Sequence, residues 1–193
     1  MSLSFDGQDD YVNIPYTTEL NSFSDQISVT TFFKVTGKVG EHRNIVTNGN
    51  VSGFAFTVSA ENKLRPHIMV DSGWWYYDGQ TTIELDTWYH GAFVYDGTTF
   101  KLYLDGELNG SQDGGSGNII NYNDDLLIGK FPFNDIQNFP GFIDHVTIWD
   151  RALTADEIKE SMLPSLTVAE EGLLGFWDFN DGEGNELIDY SGN

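Results

Sequence analysis

From residue 27 to residue 35 the chain alternates. Ile27, Val29, Thr31, Phe33 and Val35 share one parity, and Ser28, Thr30, Phe32 and Lys34 take the other. A period of two turns successive side chains to opposite faces, so this stretch predicts a β-strand with one face on a core. Shorter runs rich in aromatic and β-branched residues recur at 3–5, 11–15, 54–58, 64–70, 88–95, 100–104 and 126–129. Turn signals punctuate them: Asp6-Gly7, Asn48-Gly49, Glu61-Asn62, Asp96-Gly97 and Asp105-Gly106. About a dozen short strands at such spacing predict an antiparallel β-sandwich of two sheets. Pro15 and Pro66 mark strand ends, edges or bulges, because proline cannot donate to a ladder.

One helix is expected, over roughly 154–162. Thr154 stands three residues before Glu157, the spacing of a capping box, and Ile158 supplies the apolar side. Just upstream, Phe142, Val146 and Ile148 mark a strand that carries a lone acid, Asp144. A carboxylate in a hydrophobic strand needs a compensating partner. That partner is a metal ion, a pairing with Arg151 or His145, or backbone hydrogen bonds.

Composition narrows the function classes. The chain has 193 residues, one domain by length, with 21 glycines and 15% aromatic residues. Nine basic against thirty acidic side chains give a formal net charge of −21. That balance argues against nucleic-acid binding and against anionic membranes. It leaves an acidic solvated surface, some of whose carboxylates could chelate Ca2+, a hard cation that prefers oxygen. There is no cysteine, hence no disulfide, thiolate ligand or thiol nucleophile. No window approaches the ~20 apolar residues of a membrane span. The first residues show neither the basic nor the apolar region of a signal peptide, so the chain is expected to be a module of a longer protein.

Four stretches carry a family resemblance: residues 3–12 (LSFDGQDDYV), 87–97 (TWYHGAFVYDG), 101–106 (KLYLDG) and 141–158 (GFIDHVTIWDRALTADEI). In matching order they resemble the laminin-G-like (LamG) domains of the concanavalin A-like lectin/glucanase superfamily. The resemblance implies an all-β jelly roll, a non-catalytic carbohydrate- or glycoprotein-binding module of an extracellular or cell-surface protein, and a structural Ca2+. It maps the metal's aspartate onto Asp144 and the N-terminal contribution onto Asp6, with a carbonyl from the 47–49 turn as a possible third donor. Asp9, Asp10, Asp113, Asp124 and Asp125 lack EF-hand spacing and are expected to be turn residues and solvated acids. The tail from Glu171 resembles a segment that usually opens such a domain. Either it begins a further repeat, or residues 173–179 close this sandwich; the second is expected, giving a single domain over 1–193 with 166–193 as its closing part.

The most distinctive local run is Trp74-Trp75-Tyr76-Tyr77, between Asp71 and Asp78. Sugar rings present flat C–H faces that stack on aromatic planes. On a strand, Trp74 and Tyr76 face one side and Trp75 and Tyr77 the other, so two of the four can form one platform while two fill the core. Arg43, Arg65, His42 and His67 are possible polar partners, and Asn134 with Phe131 and Phe133 lies in a loop that could border the same face. Hydrolysis would need a carboxylate pair. The nearest string, Glu84-Leu-Asp86, lacks the third acid of the glucanase pattern, where Tyr89 stands instead. A structural or adhesive repeat without a sugar site is the alternative to a binding module, and a glucanase the third reading.

Overall fold

In a computed structural model, residues 2–21, 23–48, 53–113, 115–121, 123–163, 170–180 and 186–193 are described. Gly49 and Gly114, both in expected turns, lie outside them. The alternating segment is strand β3 (Ile27–Val35) at the heart of the first sheet. With it run β1 (Leu3–Asp6), β8 (Trp88–Tyr95), β9 (Thr99–Leu104), β10 (Glu107–Asp113), β12 (Pro140–Trp149) and β13 (Leu173–Trp177). The order is β1-β12-β3-β8-β9-β10, with β13 also on β12. The second sheet holds β2 (Val12–Ile14), β4 (Arg43–Asn48), β5 (Phe54–Val58), β6 (Leu64–Val70), β7 (Gly73–Tyr76) and β11 (Leu126–Ile128). Its order is β2-β11-β4-β5-β6-β7. All strand pairings within the sheets are antiparallel.

The inner faces make one core. Ile27, Val29, Phe33 and Val35 of β3 meet Phe54, Phe56 and Val58 of β5 and Leu64 and Ile68 of β6, all fully buried. Phe56 and Phe93 cross edge to face at 5.3 Å, a favoured geometry for ring quadrupoles. Pro66 is tolerated because β7 pairs with β6 only from Val70 back to His67.

A smaller apolar cluster lies on the outer face of the first sheet. Ala92, Val94, Tyr103 and Trp149 are covered there by Leu153 and Ile158, together with Leu173 and Phe176. Helix α1 (Ala155–Glu160) supplies Ile158, and its capping box at Thr154 and Glu157 is complete in both directions. The tail strand extends the same edge. Along β12, positions 140–143 pair with β1 and positions 146–149 pair with β13. Trp177 of β13 reaches the inner core and is 2% exposed. Gly141 permits the close approach of β12 to β3 on its other side: its φ is +147°, and a Cβ there would collide with the Lys34 carbonyl.

Candidate functional site

The aromatic run divides as the period of two requires. On β6, Leu64, Ile68 and Val70 point inward, so Arg65, His67 and Met69 face out. On β7, Trp75 packs against the core, while Trp74 and Tyr76 are 38% and 51% exposed. Tyr77 turns in beside Phe100, and its hydroxyl donates to the Gly110 carbonyl at 3.0 Å. Trp74 and Tyr76 flank His67, with ring centroids 5.5 and 5.4 Å from it. The Arg65 guanidinium lies 5.3 Å from the Tyr76 centroid. Arg65, Tyr76, His67 and Trp74 thus form one outward row at the sheet edge.

Its electrostatics are settled internally. Arg65 donates to Asp78 twice, Nε to Oδ1 at 2.8 Å and Nη2 to Oδ2 at 2.6 Å, and once to Glu61 at 3.4 Å. Burial pushes the Asp78 carboxyl up, but these hydrogen bonds and the guanidinium charge outweigh it and hold Asp78 below its usual value. Burial, with the Arg65 charge next, lowers His67 to about 3, so the ring is neutral at physiological pH. Its buried Nδ1 has no hydrogen-bond partner among the described residues. That nitrogen is enclosed, so what the row presents to a ligand is the two exposed aromatic faces of Trp74 and Tyr76.

Two other sequence-predicted ligand residues stand elsewhere. Arg43 is 1% exposed. Its guanidinium donates to the Ser59 carbonyl and Asn62 Oδ1, each at 2.7 Å, and to the Gly37 carbonyl at 3.5 Å. With burial unopposed by a carboxylate its pKa falls to about 10. Arg43 therefore clamps loops and presents nothing to a ligand. Asn134 caps the short 3-10 turn Asp135–Gln137, accepting from the Gln137 N–H at 3.1 Å. That loop meets β4 through the Asn44–Asn138 bridge, three strands from β7, or about 14 Å. Phe131 and Phe133 pack on each other there, centroids 5.5 Å apart.

The expected metal pair is not brought together. Asp6 pairs with Pro140, four residues along β12 from Asp144, or about 13 Å. Two oxygens on one Ca2+ can be no more than ~5 Å apart, so Asp6 and Asp144 do not fit a single ion. Asp144 takes its own neighbour instead: Oδ1 accepts from the His145 N–H at 3.0 Å and lies 3.1 Å from His145 Nδ1. Asp6 groups with Asp9 and Asp10, each offering a carboxylate oxygen within 4.8 Å of the others, all exposed. Asp6 also caps its own turn, accepting from the Gln8 and Asp9 N–H groups at 2.7 and 3.3 Å.

Glu84 and Asp86 lie in an exposed turn before β8, not on a strand face. Two features were missed from sequence. Asp78 neutralises Arg65; its position beside the aromatic run was the available signal. Trp88, 41% exposed, and Phe142 form an outward pair on the first sheet, with Lys34 Nζ 5.4 and 4.4 Å from their centroids. No helix among the described residues is long and apolar enough to cross a membrane.

Residues 6–159 match the Laminin_G_3 family of the concanavalin A-like lectin/glucanases superfamily. No curated protein matches the sequence. Among solved structures, a candidate carbohydrate binding protein from Bacteroides ovatus ATCC 8483 superposes with a TM-score of 0.81 at 20% identity, over 99% of this chain. The chain spans 55% of that protein. Domain 4 of AbnA, a GH43 extracellular arabinanase from Geobacillus stearothermophilus in complex with arabinotriose, gives 0.64 at 21% identity, over 84% of this chain and 76% of that one. The CBM40 of the Ruminococcus gnavus IT-sialidase, bound to α2,3 sialyllactose, gives 0.59 at 14% identity, over 79% of this chain and 96% of that one.

Proposed function

The chain belongs to the laminin-G-like family of the concanavalin A-like lectin/glucanases superfamily, and on that premise we propose that it is a non-catalytic carbohydrate-binding module. The observation that carries this reading is the row Trp74, His67 and Tyr76, two exposed aromatic rings packed on either side of an uncharged imidazole. Large aromatic faces left in water on a sheet surface suit a sugar ring that stacks by its C–H face. The similar structures support the class of ligand: one is described as carbohydrate binding, one holds arabinotriose and one sialyllactose. The non-catalytic part rests on Glu84 and Asp86, which stand in a turn and lack the strand-face pairing of a glycosidase. A place at the cell surface, beside neighbouring domains of a longer chain, is part of the same proposal. So is a weak structural Ca2+, assigned to Asp6, Asp9 and Asp10 rather than to Asp144.

Affinity electrophoresis through gels containing arabinan, xylan or mixed-linkage β-glucan tests the function. The wild type is retarded in at least one gel, and Trp74→Ala and Tyr76→Ala restore free mobility with an unchanged melting temperature. Equal mobility of wild type and both variants in every gel would leave the alternative, a structural repeat without a sugar site.

A further inference from the structure

The basic side chains restrict what the platform can hold. The chain has nine of them against thirty acids. Near β6 and β7, Arg65 gives its Nε/Nη2 edge to the Asp78 carboxylate, and Nη2 also reaches Glu61. Lys63 Nζ donates to the Gln80 carbonyl at 2.6 Å and to Thr82 Oγ1 at 2.9 Å. Arg43 is enclosed. His67 is neutral, and His42 is lowered by burial and then by Arg65.

The remaining cations are engaged elsewhere. Lys101 pairs with Asp96 at 3.1 Å, Arg151 with Glu157 at 2.7 Å and Lys159 with Glu107 at 3.1 Å. Lys34 lies over Phe142 on the other sheet. Lys38 donates to three carbonyls of the 135–138 turn. Lys130 lies over Tyr11 beside β11, four strands or about 19 Å from β7.

An anionic sugar needs a cation or a set of N–H donors to replace its lost hydration. The platform offers aromatic faces, an uncharged His67 ring between them and the outer edges of Asp78 and Glu61, whose oxygens accept hydroxyl donors and repel carboxylates. Resting on the carbohydrate-binding reading, we infer that the Trp74–His67–Tyr76 platform selects neutral glycans and excludes uronic-acid and sialic-acid ligands, with the Arg65–Asp78 pair as the selecting device. Asp78 does double duty here. It cancels the one guanidinium that could recognise a carboxylate, and it holds that guanidinium against Tyr76. The CBM40 structure with sialyllactose shows that a similar sandwich is compatible with an anionic glycan, so the exclusion comes from these residues and not from the fold.

The test is isothermal titration and affinity electrophoresis of the whole chain at low and physiological salt. The probes are arabinan, xylan and β-glucan on one side, polygalacturonate and α2,3-sialyllactose on the other. At least one neutral polymer binds, and the anionic ligands bind at least tenfold more weakly at both salts. Asp78→Asn, its fold checked by circular dichroism, narrows that gap severalfold by freeing Arg65. Wild-type binding to polygalacturonate or sialyllactose as tight as to any neutral polymer overturns the inference while leaving carbohydrate binding intact. An unchanged gap in folded Asp78→Asn removes the pair as selector. Absence of binding to every probe overturns the carbohydrate-binding reading itself, and this inference with it.

Discussion

The ammonium of Lys38 donates to the Ile136 carbonyl at 2.8 Å, and beyond it to the carbonyls of Asp135 and Asn138 at 3.0 and 3.2 Å. One side chain thus fastens the loop before β4 to the turn before β12. The first turn joins the same knot, since Asn138 Nδ2 donates to the Gln8 carbonyl at 2.7 Å. Burial lowers the Lys38 pKa, opposed by the charges of Asp135, Asp6 and Glu41.

Replacing Lys38 by Met keeps the stem and removes the charge. Three carbonyls then lose a charged donor at a partly buried site. The expected cost is about 1.5 to 3 kcal/mol, the range of a hydrogen bond to a charged group. Urea unfolding reads it as a lower midpoint at unchanged slope. A midpoint equal to wild type would show that water replaces the ammonium without penalty.

The metal proposal separates two acids that the family resemblance joins. Exposed carboxylates with few fixed donors hold Ca2+ only in the millimolar class. Ca2+ at that level raises the melting temperature, chelator reverses it, and the rise disappears in Asp9→Asn/Asp10→Asn but persists in Asp144→Asn. Differential scanning fluorimetry reads all four arms. Persistence in the first variant and loss in the second would return the ion to Asp144.

Most of the sandwich was legible because its signals are local. The parity of β3, the capping box of α1 and the division of Trp74 and Tyr76 from Trp75 and Tyr77 each depend on neighbours in sequence. What was not legible depends on register and on distant partners. Asp6 and Asp144 looked like one site until the Leu3–Ile143 pairing fixed how far apart β1 and β12 set them. Arg43 looked available because its three acceptors come from Gly37, Ser59 and Asn62, in loops that no spacing connects. Trp88 carries no local mark of its exposure, since it begins a strand whose next residues of the same parity, His90 and Ala92, are buried.

The two halves of the aromatic run should separate experimentally. Trp75 packs on the core, so Trp75→Ala is expected to cost about 2 kcal/mol or more in stability. Trp74→Ala removes an exposed ring and is expected to stay within about 0.5 kcal/mol of wild type. Urea unfolding of both variants checks this, and a reversed order would place the sugar platform on the wrong face.

The buried histidines make the fold acid-sensitive. His90 is 1% exposed, against Phe32 and Ser161 Oγ, and burial, with the His145 charge next, lowers it to about 4. His67 is lowered to about 3. Both are depressed below the unfolded value near 6.5, so between those pH values the unfolded chain binds more protons. Their contribution is complete above about pH 6.5 and declines as the pH falls toward 4 and then 3. Unfolding free energy measured from pH 7.5 to 4.5 should fall, and His90→Gln should flatten part of that slope. An identical slope in a folded His90→Gln would assign the acid sensitivity to other groups.

Strand β13 carries the last prediction, that the tail belongs to this sandwich. β1 leaves the outer edge of β12 unpaired beyond Ile143, and β13 fills it from Val146 to Trp149. Its side chains serve both hydrophobic clusters: Trp177 and Leu174 the inner core, Leu173 and Phe176 the outer one under α1. An unpaired edge beside two exposed clusters would be both costly and prone to association. Trp177→Ala is therefore expected to destabilise the whole sandwich by about 3 to 5 kcal/mol, in one cooperative transition. If the tail instead belonged to a separate repeat, the variant would leave the main transition in place. Parallel unfolding curves from far-ultraviolet dichroism and tryptophan fluorescence distinguish the two.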